Sequence, residues 1–134
     1  MINLDFKCAE ASEVIKSFLV SDGKAKKEAE SLITKALGVL QEDGLYAFYL
    51  YMKAKDKSVY KSVEKESIKL FKEAFPDLDI NREGYLIAKD LVSELERLFL
   101  AKELLERTLV YARYHAKALG KTDEEGEAQM EGGS

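Results

Sequence analysis

Tryptophan is absent from these 134 residues, cysteine and histidine each occur once, and there is a single proline. One cysteine excludes a disulfide framework within the chain, and one cysteine with one histidine excludes a multi-Cys/His metal site in one protomer. That scarcity fits a reducing, intracellular setting. Pro76 and eight glycines leave little material for the turns of a sandwich or barrel, so the composition favours helices. No apolar run approaches the about 18 uncharged residues that a membrane span needs. Asp5 and Lys7 interrupt the first apolar residues, where a secretory signal would be continuous. The expectation is a cytoplasmic protein with no membrane partner.

What is present is an ordinary globular balance, 46% hydrophobic and 34% charged, long enough for one domain with a real core. The net charge of −4 resides wholly in the stretch after Gly120, which holds Lys121 against Asp123, Glu124, Glu125, Glu127 and Glu131. A neutral body does not advertise nucleic-acid binding, but its charges are segregated. Seven lysines lie between Lys53 and Lys72 against three acids, whereas Glu73 to Glu106 holds nine acids against four bases. Such a pattern suits head-to-tail contacts between like subunits as readily as a polyanion.

Helical spacing of apolar residues runs almost throughout and predicts an all-α protein: a single compact bundle of about five to six helices over 1–120, with a disordered acidic tail over 121–134. Leu4, Cys8, Ala11, Ile15, Phe18 and Leu19 make one stripe, ended by Ser21-Asp22-Gly23. A second helix carries Leu32, Ile33, Ala36, Leu37 and Leu40 and stops at Asp43-Gly44. Leu45 to Met52 is apolar or aromatic around its circumference and should be the most enclosed helix, with the hydroxyls of Tyr46, Tyr49 and Tyr51 at its margins. The fourth helix, Ser58 to Phe75, turns Val59, Val63, Leu70, Phe71 and Ala74 inward and ends at Pro76. Spacing resumes at Ile87, Leu91, Leu95 and Leu98 and continues to Leu119, with a capping-box start at Ser93-Glu94-Leu95-Glu96 dividing the run in two.

Reactive constellations are missing. His115 lies at the edge of the last apolar stripe and reads as a packing residue, as does Cys8 in the first. Asp77-Leu78-Asp79-Ile80-Asn81 opens like a calcium loop, but Arg82 stands where the sharp turn requires glycine and Ala88 where a bidentate acid is needed. No phosphate-cradling glycine pattern occurs. Neither a cofactor nor a metal is expected. The positive feature is a lysine row: Lys57, Lys61, Lys65, Lys69 and Lys72 step by four, four, four and three, a ridge opposite the Val59/Val63/Leu70 face. Each four-residue step rises about 6 Å, comparable to the spacing of phosphates along an extended strand. The plainer reading is a solvated outer face. A stacking platform of Tyr46, Tyr49 and Tyr51 is the weaker idea, since aromatics on an apolar helix are usually core.

Three stretches carry a resemblance. Lys7-Cys8-Ala9-Glu10-Ala11 opens the chain. Leu40-Gln41-Glu42-Asp43-Gly44-Leu45 leads into Ala47-Phe48-Tyr49-Leu50 and Lys53-Ala54-Lys55. Glu103-Leu104-Leu105 and Tyr111-Ala112-Arg113-Tyr114-His115-Ala116-Lys117-Ala118-Leu119 close it. In order and spacing these resemble the small α-helical subunit of the type III-B CRISPR effector, the Cmr complex. The chain departs from that family's pattern at Asp43-Gly44, often Asn-Gly, and at Tyr111-Ala112-Arg113, where a Trp-Leu-Lys-like element is usual. The resemblance implies a non-catalytic protein of antiviral defence. Several copies would stack end to end along the guide and target RNA and contact the other effector subunits, with RNA cleavage belonging to other components. Placing RNA on the lysine row follows from spacing and not from that family. The alternative is a small helical adaptor that binds only protein; an enzyme acting through scattered carboxylates has no motif in its favour.

Overall fold

The computed structural model describes residues 3–21 and 26–132, with side chains placed for 3–19, 28 and 30–118. Six helices make up the bundle: α1 (Leu4–Ser21), α2 (Lys26–Asp43), α3 (Leu45–Lys55), α4 (Lys57–Ala74), α5 (Gly84–Leu91) and α6 (Leu95–Gly132). There is no strand among the described residues, and no helix there is long and apolar enough to cross a membrane. The expected helix stop at Ser21-Asp22-Gly23 and the expected tail over 121–134 lie outside the described side chains.

Local chemistry sets the boundaries. Gly44, at φ 94°, links α2 to α3 in a left-handed conformation that a side chain would strain. Asp56 starts α4, its Oδ1 accepting the Ser58 and Val59 amides at 3.1 and 3.2 Å. Pro76 follows the last turn of α4, where it cannot continue the ladder. Between α5 and α6 the chain breaks where expected, by another device. The Ser93 hydroxyl donates back to the Asp90 carbonyl at 2.9 Å, and the Glu94 amide donates to the Leu91 carbonyl at 2.9 Å. A tightened turn therefore ends α5, and Glu94 takes the position before α6, its carbonyl accepting the Leu98 amide.

In the bundle α6 lies on α1 and α2, α1 packs against α4, and α3 packs against α2, α4 and α5. Cys8, Ile15, Leu40, Phe48, Phe71, Leu104 and Leu109 are among the buried residues that close the core. Several polar groups caught inside find partners. Thr108 Oγ1 and Cys8 Sγ both donate to the Leu104 carbonyl, at 2.8 and 3.4 Å, and Ser12 donates to the Ala9 carbonyl at 2.7 Å. Burial pushes the Cys8 thiol up, so this cysteine is a packing group.

Three expectations are corrected. Helix α3 is not the most enclosed, because its neighbours cover it incompletely and Tyr46 and Leu50 stand exposed. Tyr49 does not keep its hydroxyl at a margin; it is fully buried, bonded at 2.6 Å to Ser67 Oγ. Leu95 is exposed instead of inward, because the turn at 92–94 resets the helical phase that the spacing carried across it.

Candidate nucleic-acid interface

The helix that carries the lysine row is buried on one side only. Val59, Tyr60, Val63, Glu66, Ser67, Leu70 and Phe71 are buried, and Lys57, Lys61, Lys65, Lys69 and Lys72 are all exposed. At about 100° per residue, steps of four advance only about 40° each, so Lys57 to Lys69 sweep about 120° and Lys72 falls within that arc. The arc lies opposite the buried residues, which is the arrangement the spacing implied.

The five amines are not equivalent. Lys69 Nζ lies 3.2 Å from Glu66 Oε2, and Glu66 is itself buried. Lys72 Nζ donates to the Leu78 carbonyl at 2.9 Å and so ties the chain after Pro76 to the end of α4. Lys57, Lys61 and Lys65 have no acid within ion-pairing distance among the described residues. The acids nearest to them in sequence are turned elsewhere: Asp56 caps α4, and Glu64 Oε2 accepts the Gly84 amide at 2.7 Å together with the Tyr60 hydroxyl. The row thus divides into three amines in open solvent and two that hold the fold.

The tyrosines do not assemble. Tyr49 is in the core, Tyr51 is half-buried, and Tyr46 meets Tyr85 edge-on at 6.3 Å. Lys53 sits 5.2 Å above the Tyr85 ring and is paired to Glu83 at 2.9 Å. The segment that opens like a calcium loop is filled by arginines. Arg97 holds Asp77 at 2.9 Å, Arg82 binds Asp79 and Asp90, and Asp79 Oδ1 accepts the Asn81 amide. Among the described residues no group of three His, Cys, Asp or Glu is placed to hold a metal.

Two of these pairs predict a mild acid sensitivity. The Arg97 guanidinium holds the Asp77 carboxyl below its ordinary range, and the Lys53 ammonium does the same for Glu83. A lowered folded pKa contributes stability above the unfolded carboxylate range and loses it as pH falls below about 4. Asp77→Asn should accordingly flatten the acid limb of a urea-stability profile while leaving stability at neutral pH little changed.

Sequence reading missed the division within the row. The i,i+3 spacing of Glu66 and Lys69 was the available signal for one lost amine, whereas the tie from Lys72 depends on how the chain turns after Pro76. No protein-family model, curated protein or solved structure matches the chain.

Proposed function

We propose that this chain is a non-catalytic helical assembly subunit of an RNA-guided, RNA-targeting complex of the Cmr type, with Lys57, Lys61 and Lys65 laid along a phosphate backbone. The observation that carries the RNA contact is that these three amines stand exposed at a rise of about 6 Å on one helical face free of acid partners. Ammonium groups on flexible stems neutralise phosphates without reading bases, and each phosphate neutralised releases condensed counterions. Such a grip is independent of sequence, as a subunit riding on any guide would need. The all-α bundle agrees with the fold that the resemblance implies.

Fluorescence anisotropy with single-stranded RNA across a salt series tests this. Replacing Lys57, Lys61 and Lys65 together by Glu should weaken binding strongly and reduce the log–log salt slope by about 2, given roughly 0.7 per lost phosphate contact. Lys69→Glu, which removes an amine already held by Glu66, should have the smaller effect. Binding and slope unchanged in the triple variant would turn the row into a solvated face and favour the protein-only adaptor.

A further inference from the structure

Helix α6 buries one side against α1 and α2 and leaves the other uncovered. Its inner residues Ala101, Leu104, Leu105, Thr108, Leu109 and Ala112 are buried, whereas Leu95, Phe99 and Tyr114 are 60%, 64% and 58% exposed. Leu95 and Phe99 lie about one turn apart, and Tyr114 lies about 22 Å further along the same helix. From Phe99 the outer face runs through Glu103, Glu106, Val110, Arg113 and Lys117, alternating steps of four and three. That row marks one outward side of the helix, with Phe99 and Val110 as its apolar members.

Charge along this face has a direction. Along this side residues 95–106 contribute Glu96, Glu103 and Glu106 with Lys102 at the margin and Arg97 turned aside to Asp77, and residues 107–118 contribute Arg107, Arg113 and Lys117 with no acid. Intramolecular pairing does not exhaust the charges. Arg107 is held by Glu103 at 3.0 Å, and Lys102 lies 3.9 Å from Glu106. Glu96 has no base in reach among the described residues, and Arg113 Nε is buried without a hydrogen-bond partner.

An acidic half bearing Leu95 and Phe99 and a basic half bearing Tyr114 complement the same rod reversed. We infer that the outer face of α6 docks a second copy of this chain, the two α6 helices packing antiparallel about a two-fold axis with Phe99 of each copy against Tyr114 of the other. In that register Glu96 stands opposite Lys117 and Glu106 opposite Arg107, and two-fold symmetry makes each contact twice. Parallel packing would set acid on acid. A single helix pair with charges along its seam lies at the small end of stable interfaces, so the dimer is reversible. It is a side-by-side contact, independent of the RNA reading and of the lysine row on α4.

Sedimentation equilibrium over a range of protein concentrations tests it. The wild type should show a reversible monomer–dimer equilibrium, and Phe99→Glu should be monomeric with unchanged helical circular dichroism. The decisive variants are made in a Glu30→Gln background, because Lys117 also lies 3.7 Å from Glu30 of its own chain. There Glu96→Lys and Lys117→Glu should each raise the dimer Kd by about tenfold, and the double variant should recover most of the loss. Positions 96 and 117 are about 32 Å apart along one helix, so such recovery arises only between chains. A wild type that stays monomeric at every concentration, or a double variant no tighter than the weaker single one, would overturn the assignment.

Discussion

Alanine in place of Gly84 is expected to lower the free energy of unfolding by about 1–3 kcal/mol, read as a lower urea midpoint at unchanged slope. The cause is steric and not conformational, since Gly84 opens α5 without the positive φ that Gly44 has. A Cβ there would lie 2.9 Å from Cδ1 and Cε1 of Tyr49 and 3.1 Å from Cζ. The ring has no room to give. Tyr49 is fully buried, and its hydroxyl is pinned 2.6 Å from Ser67 Oγ. Ser67 spends its one proton on the Glu64 carbonyl at 3.0 Å, so Tyr49 must be the donor to Ser67. Gly84 is held from the other side, its amide donating to Glu64 Oε2 at 2.7 Å. Moving α5 outward to relieve the clash would therefore break a charge-assisted bond. If this account is right, Tyr49→Leu removes the obstacle, and the further cost of Gly84→Ala in that background should fall below about 1 kcal/mol. Equal costs in both backgrounds would show that the ring is not what Gly84 makes room for.

That junction also marks where sequence reading stops. Helix α4 was legible because the signals read for it are local: apolar and basic residues separated by a helical period, and Pro76 after the last turn. The exposed lysine row was legible for the same reason. Its loss of Lys72 was not, because the acceptor is the Leu78 carbonyl and depends on the turn after Pro76. Nor was the partner of Tyr49, which lies 18 residues away on another helix. The error at Leu95 is more instructive. The spacing from Leu91 to Leu95 to Leu98 is helical, but two backbone bonds at 93–94 tighten the chain and restart the phase, so Leu95 joins the outer face with Phe99. Periodicity reports a face only within one unbroken helix, and the break here is a matter of hydrogen bonds that the residue types permit without demanding.

Raising the pH above about 10 is expected to destabilise the fold steeply, and two phenols on the α3–α4–α5 junction account for most of the tyrosine share. Burial is the first cause that pushes both Tyr49 and Tyr60 well above the ordinary tyrosine range. For Tyr60 the Glu64 carboxylate that accepts its hydrogen bond adds to the shift, and for Tyr49 the nearby Glu64 charge acts in the same direction. A folded pKa raised above the unfolded value means that the unfolded chain releases its protons first. The stabilisation is complete below about pH 10 and is lost as pH climbs toward the folded values. With unfolded phenols near 10, each group removes about 1.4 kcal/mol by pH 11, or roughly 3 kcal/mol for the pair. Tyr111, raised chiefly by its hydrogen bond to Asp5, acts in the same direction from the exposed side of α6. Lysines titrate in the same interval, and the ammonium of Lys53, held up by Glu83, is among them. Substitution separates the contributions: Tyr60→Phe should remove about half of the phenolic loss between about pH 9 and 11 in urea titrations while leaving the lysine share intact. A profile that stays as steep as the wild type's in both Tyr60→Phe and Tyr49→Phe would mean that neither phenol is held protonated by the fold, and that Glu64 does not bind Tyr60 and Gly84 together as the geometry requires.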